Sequence, residues 1–202
     1  MRFAIVGVGD YGSRFAAWLM QSGQDVTLIA RGKPLERLRT HGLTATQGTI
    51  TPAMHLDTVR ATDHPTSVDP VEAVLMCVKL YQLDAAMDVA SPLVGPDTTV
   101  LGLQNGVTAA DRLIQCFGAE HVVGVGTTVA SVPLTIGEWP RGTSARTRAI
   151  VQVFKEAGIN VVESDNVLQA VWGKYIVACG GTVCALARQP VGGVVQVPAL
   201  RQ

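Results

Sequence analysis

Charged residues are scarce in this sequence, and neither sign dominates. Lysine and arginine total 16 and aspartate and glutamate total 16 among 202 residues, so the formal net charge is zero and charged residues make up 16% of the chain. No basic stripe of the kind that binds nucleic acid is present, which excludes nucleic acid as the main partner. Hydrophobic residues make up 48%, so we expect a substantial buried core and not a disordered chain.

Cysteine is also used sparingly. The four cysteines are Cys77, Cys116, Cys179 and Cys184, and they form neither a C-x-x-C pair nor a metal-ligand spacing with histidine. This pattern favours a reducing, cytoplasmic location over a disulfide framework and predicts no metal site.

Long apolar runs that could target the chain or cross a membrane are nearly absent. The apolar start of the chain is too short for a signal peptide and is interrupted by Gly9 and Asp10. The one long apolar segment, residues 167–187, carries Lys174, and a charge at that depth of a bilayer would be costly. We therefore expect no membrane partner, and we interpret this segment as a largely buried helix with a lysine of possible functional use.

What the sequence does contain is a glycine motif in a strand–helix setting, at residues 2–12. An apolar run at 3–6 leads into Gly7-x-Gly9-x-x-Gly12, and helix-like sequence follows at once. Glycine permits the tight turn, the close approach of a pyrophosphate and close helix–strand packing, while the free N–H groups of the helix face the phosphates. The motif predicts a dinucleotide site formed by Gly7, Val8, Gly9, Asp10, Tyr11 and Gly12; the alternative is a glycine-rich turn of structural use only.

Arg31 indicates which dinucleotide is bound. It follows a second strand-like run at 25–30, where sites for NAD usually carry an acidic residue, and the first carboxylate after it is Glu36. A guanidinium can bind the 2′-phosphate of NADP through two hydrogen bonds. NADP(H) is therefore the predicted cofactor, against the alternative of Arg31 as a solvated loop residue.

Strand-like runs alternate with amphipathic segments over most of the chain, which predicts an α/β fold of the Rossmann type, a doubly wound parallel sheet. The predicted strands are 2–6, 25–30, 73–78, 98–103 and 121–125, and the predicted helices are 11–22, 34–41, 81–90 and 109–116. Short strands or a hairpin are expected within 43–62, and edge strands within 127–137. Beyond residue 142 we expect a helix at 144–157 capped by Ser144, a strand at 159–163 and a long helix at 166–188. This pattern divides the chain into a dinucleotide-binding domain, 1–165, and the first helix of a helical substrate domain, 166–202.

Three polar residues follow or interrupt apolar segments where chemistry is expected. Lys79 and Asn105 come after the third and fourth predicted strands, and the carboxyl ends of such strands form the ligand edge of an α/β sheet. Lys174 lies among apolar residues, where its ammonium group could stabilise and protonate an alkoxide. The alternatives are a solvated strand end for Lys79, an Asn-Gly turn for Asn105 and a lysine that extends its amine to solvent for Lys174.

Taken in order, these motifs resemble the ketopantoate reductase (2-dehydropantoate 2-reductase) family. The resemblance rests on residues 7–12, 30–32, 77–79, 103–107 and 172–174, with 186–192 also similar, so it extends over nearly the whole chain. It implies NADPH-dependent reduction of 2-dehydropantoate to pantoate, a step toward pantothenate and coenzyme A. It also implies that Lys174 is the general acid and that Lys79 and Asn105 line the nicotinamide and substrate region.

The sequence departs from that family in three places. Ala178 and Thr182 stand where the family usually has asparagines that contact substrate, so we take both as substrate-binding positions of altered chemistry. The segment 130–138 is shorter than the strand–turn–strand of the family, and only the start of the family's helical second domain is expected within this chain. Unpartnered apolar surface on residues 167–200 would favour self-association, including a homodimer.

Two alternatives to ketopantoate reduction stay open at this point. One is an NADP-dependent reductase of another small 2-keto or 3-hydroxy acid, which Ala178 and Thr182 favour. The other is a dinucleotide-binding module without catalytic activity.

Overall fold

The computed structural model describes residues 1–45, 54–126 and 132–188. The strands in this part of the chain are β1 (Arg2–Val6), β2 (Asp25–Ile29), β3 (Leu43–Ala45), β4 (Met54–Leu56), β5 (Arg60–Thr62), β6 (Ala73–Met76), β7 (Thr99–Gly102), β8 (Val122–Gly126), β9 (Leu134–Glu138) and β10 (Val161–Glu163). The helices are α1 (Asp10–Gln21), α2 (Lys33–His41), α3 (Leu83–Ala90), α4 (Ala109–Phe117), α5 (Ala145–Glu156) and α6 (Val167–Ala187).

Eight of these strands form one sheet in the order β10-β9-β8-β7-β6-β1-β2-β5. From β5 to β8 every neighbouring pair is parallel, β8 and β9 are antiparallel, and β9 and β10 are again parallel. The chain moves outward from β1 through β2 to β5, then returns to β6 on the other side of β1. The order therefore reverses between β1 and β6, and in open α/β sheets ligands bind beyond the strand ends at that reversal. The predicted doubly wound α/β fold is confirmed.

Both faces of the sheet are covered, which explains why its central strands are apolar along their whole length. All four residues of β6 and all four of β7 are buried. Helices α1 and α5 cover one face, where Phe3, Phe15 and Phe154 pack against one another. Helices α3 and α4 cover the other face. Side chains on both faces of a parallel strand are removed from water, so the sequence shows a continuous apolar run and not an alternating one.

The five predicted strands between residues 2 and 125 are all present, with ends that differ by at most two residues. The predicted hairpin within 43–62 is also present, because β3 pairs with β4 in an antiparallel two-stranded sheet. The role of β5 was not predicted: it pairs with β2 as the outer strand of the main sheet. β5 is only three residues long and carries Arg60 at an exposed position, so no buried apolar run marks it in the sequence. Residues 46–53 and 127–131 lie outside the described part of the chain.

The link between β9 and α5 is held by a polar cluster. Ser144 caps α5 as predicted, since its side chain accepts a hydrogen bond from the Thr147 N–H. Glu138 accepts from the Arg146 guanidinium and from the Ser144 hydroxyl. Arg146 lowers the pKa of Glu138 through these hydrogen bonds, against the opposing effect of burial. The ion pair therefore fixes the end of β9 to the first turn of α5.

Helix α6 packs on β8 only at its beginning. A Cβ added to Gly124 would lie 2.5 Å from Val167 Cγ1, and one added to Gly126 would lie 2.9 Å from Ala170 Cβ. These two glycines therefore let the helix approach the strand closely. Of the 21 residues in α6 only Val167 and Val171 are buried, so the prediction of a largely buried helix is wrong for this chain. The reason is that no described element packs along the remaining turns.

The exposed part of α6 is strongly apolar. Helix α6 has a mean hydropathy of 1.4, and by length and composition it could cross a membrane, although one such helix is weak support for a span. The large exposed apolar side chains on it are Trp172, Tyr175, Ile176, Val177, Val183 and Leu186. The segment 172–174 lies in and beside the second turn of the helix, which begins at Val167 after its cap, Asn166.

Candidate active site at the strand ends

The first turn of the glycine motif is packed against the neighbouring strand end. Gly7 has φ +95°, a conformation that side-chain-bearing residues rarely adopt, and a Cβ there would lie 2.7 Å from Val78 Cγ1. A Cβ on Gly12 would lie 2.1 Å from the Gly7 carbonyl oxygen and 3.1 Å from Cys77 Cβ. Both positions therefore require glycine for the turn, α1 and the segment after β6 to fit together.

Gly9 differs from these two glycines, because a Cβ there would meet nothing within 4 Å. It precedes α1, which begins at Asp10 without a side-chain cap. Asp10 forms an ion pair with Arg14 at 2.8 Å, and the Arg14 guanidinium lies 5.0 Å from the centre of the Tyr11 ring. The turn thus leaves open space beside a helix N-terminus, which is what a pyrophosphate requires. The residues present fit a dinucleotide.

Arg31 lies two residues beyond β2 and is exposed. The Ala30 N–H donates to the Thr62 carbonyl oxygen of the neighbouring strand, so the chain leaves the sheet only after that residue. Gly32, at φ +58°, then turns the chain into α2. Arg31 is therefore at the same edge of the sheet as the glycine turn, in the position expected of a side chain that binds the 2′-phosphate.

Lys79 and Asn105 also lie at this edge, after β6 and β7. Lys79 is exposed and precedes a short 3₁₀ turn, Leu80–Gln82, and its backbone N–H lies 3.4 Å from the Gln82 side-chain oxygen. Asn105 is exposed, three residues beyond the end of β7. The strand order β1-β6-β7 places the glycine turn, Lys79 and Asn105 along one edge of the sheet.

The structure joins Asn105 to Lys174, which is 69 residues away in sequence. The Lys174 ammonium donates a hydrogen bond to Asn105 Oδ1 at 2.5 Å. Partial burial lowers the pKa of Lys174 below the usual lysine value, because a charged ammonium is less stable where water is partly excluded. A lysine of lowered pKa releases a proton more readily, so this group is suited to donate a proton to a developing oxyanion.

A cavity of about 270 Å³ opens beside this hydrogen bond. Among the described residues its lining consists of Gln104, Asn105, Gly106, Val125, Val171, Lys174, Tyr175 and Ala178. The volume would accept a small organic acid. Ala178 is one turn beyond Lys174 and contributes a methyl group, as the sequence led us to expect. The Thr182 hydroxyl donates to the Ala178 carbonyl oxygen at 3.1 Å, and its substrate contact stays a prediction.

One residue of this site was not singled out from the sequence. Gln104 is 5% exposed, and its side-chain amide donates to the carbonyl oxygens of Met76 at 2.6 Å and Val78 at 3.2 Å. The only available signal was a polar residue at the end of an apolar run, and Asn105 beside it gave the same signal. In the ranges 1–45, 54–126 and 132–188 no group of three histidine, cysteine, aspartate or glutamate side chains could hold a metal ion.

Residues 3–139 match the family model described as ketopantoate reductase PanE/ApbA. The 2-dehydropantoate 2-reductase of Caulobacter vibrioides is 30% identical over 199 residues, which cover 94% of this chain and 65% of that protein. The crystal structure of 2-dehydropantoate 2-reductase from Geobacter metallireducens is 26% identical with a TM-score of 0.85, covering 100% of this chain and 70% of that one.

D-mandelate dehydrogenase, solved with NADH and anilino(oxo)acetate, is 23% identical with a TM-score of 0.79 over 99% of this chain and 69% of that one. At that identity the likeness concerns the fold alone. This chain spans about two thirds of the length of the relatives it matches. With the family model covering more than half of the sequence, the chain belongs to the ketopantoate reductase PanE/ApbA family.

Proposed function

We propose that this chain is an NADPH-dependent reductase that converts 2-dehydropantoate to pantoate, and so serves the synthesis of pantothenate and coenzyme A. The observation that carries the proposal is the hydrogen bond between Lys174 and Asn105 at the mouth of the cavity. This hydrogen bond holds the proposed proton donor, Lys174, beside Asn105, at the edge of the sheet where the glycine turn leaves room for a dinucleotide. Proteins of this description among the relatives support the choice of substrate.

In this proposal residues 7–12 bind the pyrophosphate through backbone N–H groups, and Arg31 binds the 2′-phosphate. Lys79 and Asn105 contact the nicotinamide ribose and the substrate. When bound, NADPH would supply the hydride that reduces the 2-keto carbon. The preference for NADP over NAD rests on Arg31 at the end of β2, with no carboxylate before Glu36.

Lys174 carries the proton chemistry of the proposal. Its Nζ donates a proton to the keto oxygen of the substrate as that oxygen gains negative charge, and the lysine becomes a neutral amine. The lowered pKa reduces the cost of this transfer. Asn105 holds Nζ in place through its side-chain oxygen, so the ammonium group is oriented before the substrate arrives.

The proposal extends to organisation and location. Residues 1–165 form the NADP-binding domain and residues 166–202 begin a helical substrate domain. The exposed apolar side of α6 supports association of two copies.

The substrate of the reaction is a small 2-keto acid. The protein acts in the cytoplasm and not at a membrane. Helix α6, the one long apolar helix among the described residues, is held to the sheet through Val167 and Val171.

The experiment that tests the proposal uses the 202-residue chain and two measurements. Fluorescence titration with NADPH and NADH measures nucleotide affinity, and the absorbance of NADPH at saturating 2-dehydropantoate measures turnover. We expect tighter binding of NADPH than of NADH and a substrate-dependent loss of NADPH. Nucleotide binding without turnover of any keto acid would instead support a dinucleotide-binding module.

A second candidate function is NADPH-dependent reduction of a different small 2-keto acid, or NADP⁺-dependent oxidation of a small 3-hydroxy acid. The cavity wall formed by Val125, Val171 and Ala178 is apolar, and the Thr182 hydroxyl is engaged by the helix backbone. A hydroxyl group on the substrate side chain would lose water there without gaining a partner from these three residues. Comparing 2-dehydropantoate with 3,3-dimethyl-2-oxobutanoate, which lacks only that hydroxyl, separates the two candidates. A higher kcat/KM for the second acid would favour the alternative.

A further inference from the structure

The side chain of Gln104 donates two hydrogen bonds that have no part in the proposed reaction. Its side-chain amide group is buried and spans the gap between the ends of β7 and β6, donating to the Met76 and Val78 carbonyl oxygens. Met76 also accepts from the Leu103 backbone N–H. The Val78 carbonyl lies beyond the end of β6, outside the ladder of the sheet, so Gln104 contributes a cross-strand contact there that the backbone does not.

The side-chain oxygen of Gln104 does not fix the orientation of the amide group. Gln104 Oε1 is buried and accepts no hydrogen bond from the described residues. It faces Gly102, where an added Cβ would lie 3.0 Å away. A buried carbonyl without a partner is unfavourable. The side chain therefore keeps this orientation because of the two hydrogen bonds that its nitrogen donates.

Those two hydrogen bonds fix the segment that supports the glycine turn. The Cβ position of Gly7 lies 2.7 Å from Val78 Cγ1, 3.0 Å from the Val78 nitrogen and 3.1 Å from the Cys77 carbonyl carbon. Any shift of residues 77 and 78 must therefore move the turn at Gly7 or open a gap beside it. On its other side Gln104 is bonded directly to Asn105, whose side chain accepts from Lys174.

We propose that Gln104 is a positioning residue that couples the dinucleotide turn to the Lys174–Asn105 pair. Its amide nitrogen holds the end of β6 against the end of β7. The distance between Val78, which packs against Gly7, and Asn105, which binds Lys174, is therefore fixed. This inference rests on the proposed NADPH-dependent reduction. It predicts that the loss of one buried amide affects nucleotide affinity and turnover together.

The test compares Gln104→Met with Thr98→Val in the complete chain. Thr98 is buried at the opposite end of the same strand region, where its hydroxyl donates to the Val71 carbonyl oxygen and accepts from the Gly95 N–H. Thr98→Val removes two hydrogen bonds far from the site, as Gln104→Met removes two within it, and so controls for lost stability. We expect both variants to lower Tm, and only Gln104→Met to raise the NADPH Kd and lower kcat, each by about tenfold.

Gln104→Glu adds a readout that a purely structural role would not give. An ionised carboxylate cannot donate to the Met76 and Val78 carbonyl oxygens, whereas the single O–H of the protonated acid can donate to one of them, and burial raises the pKa of a carboxyl group at this position. We expect the NADPH Kd of Gln104→Glu to fall toward the wild-type value as the pH is lowered and the carboxyl group becomes protonated. The wild-type affinity, measured in parallel, corrects for the titration of the nucleotide phosphate.

The outcomes distinguish the two proposals. Equal losses of affinity and kcat in Gln104→Met and Thr98→Val, or a Gln104→Glu affinity that follows the wild type at every pH, would overturn the positioning role while leaving the reductase intact. Failure of the wild-type chain to bind NADPH would overturn the proposed function, and the positioning role with it.

Discussion

The sheet and helix α6 differ in how their apolar surface is used. Strands β6 and β7 are buried along their whole length, and helices cover both faces. In α6 burial stops at Val171, and a run of large apolar side chains beyond it faces solvent. The glycine turn is therefore held by close packing against residues 77 and 78, whereas Lys174 lies just beyond the last buried residue of α6. The difference predicts that nucleotide binding and proton transfer can be separated by mutation.

The largest effect is expected from Lys174→Met. Removing the ammonium group eliminates the proposed proton donor, so kcat should fall by about 10²- to 10⁴-fold. The NADPH Kd should change little, because the glycine turn does not depend on this side chain. Steady-state kinetics and fluorescence titration measure the two quantities, and Lys155→Met, at an exposed lysine of α5, is the matched control. A kcat reduced less than about threefold would remove Lys174 from the catalytic role.

Protonation of Lys174 should also determine how kcat depends on pH. A general acid must be protonated to act, so kcat should fall as the pH rises through the pKa of Lys174. Because burial lowers that pKa, the fall should begin at a lower pH than for a free lysine side chain. The Lys174→Met variant should lack this limb of the profile.

Gly12→Ala is expected to weaken nucleotide binding at the glycine turn. Its methyl group would lie 2.1 Å from the Gly7 carbonyl oxygen, so α1 must move away from the turn and the NADPH Kd should rise by about 100-fold. We expect overpacking to cost roughly 1–3 kcal/mol of unfolding free energy as well. Gly181→Ala on α6 is the control, because a methyl group there meets nothing within 4 Å. Retained affinity in Gly12→Ala would argue against a pyrophosphate at this turn.

Arg31→Gln sharpens the question of which nucleotide is bound. Loss of the guanidinium should raise the NADPH Kd by about tenfold and leave the NADH Kd unchanged, because only NADPH carries the 2′-phosphate. The control is Arg37→Gln, at an exposed arginine of α2. Equal effects on both nucleotides would show that Arg31 does not read the 2′-phosphate.

An effect of the same size as that of Arg31→Gln, but without consequence for the nucleotide, is expected on the exposed side of α6. Ile176 and Leu186 are 66% and 81% exposed, and we expect the double substitution to lysine to weaken association of two copies by about tenfold through the loss of apolar contact. Sedimentation at several concentrations measures the association. Val162→Lys, at an exposed position of β10, should leave it unchanged. NADPH affinity should be the same in all three proteins.

The sequence predicted the central strands well because each carries a local signal. Strands buried on both faces are continuous apolar runs, and the motif at residues 7–12 stands between such a run and a helix, so the strands and the ligand edge of the sheet could be predicted. Arg31, Lys79 and Asn105 were found by the same rule, since each follows a strand end. The family resemblance implied that Lys174 and Asn105 belong to one site, but their hydrogen bond was not predicted, because contacts between residues far apart in the sequence have no periodic signature.

Other features carry no such signal. β5 is short and exposed, and its place beside β2 depends on the path of the chain after the β3–β4 hairpin. The burial of α6 was predicted from its apolar composition, but burial requires a partner that composition cannot supply. Gln104 escaped notice because a buried glutamine and a solvated one look alike in a sequence, and only the carbonyl oxygens around it distinguish them.

The reversal of direction between β8 and β9 has a consequence for where the lysine can stand. Since β9 and β10 run opposite to the six strands beside them, the chain leaves β10 at the edge of the sheet opposite to the glycine turn. Helix α6 must then travel back across the sheet beside β8, passing Gly124 at Val167 and Gly126 at Ala170. One further turn, about 6 Å, carries it to Lys174 at the opposite margin. Had the last two strands kept the common direction, the helix would have started at the ligand margin and pointed its lysine away.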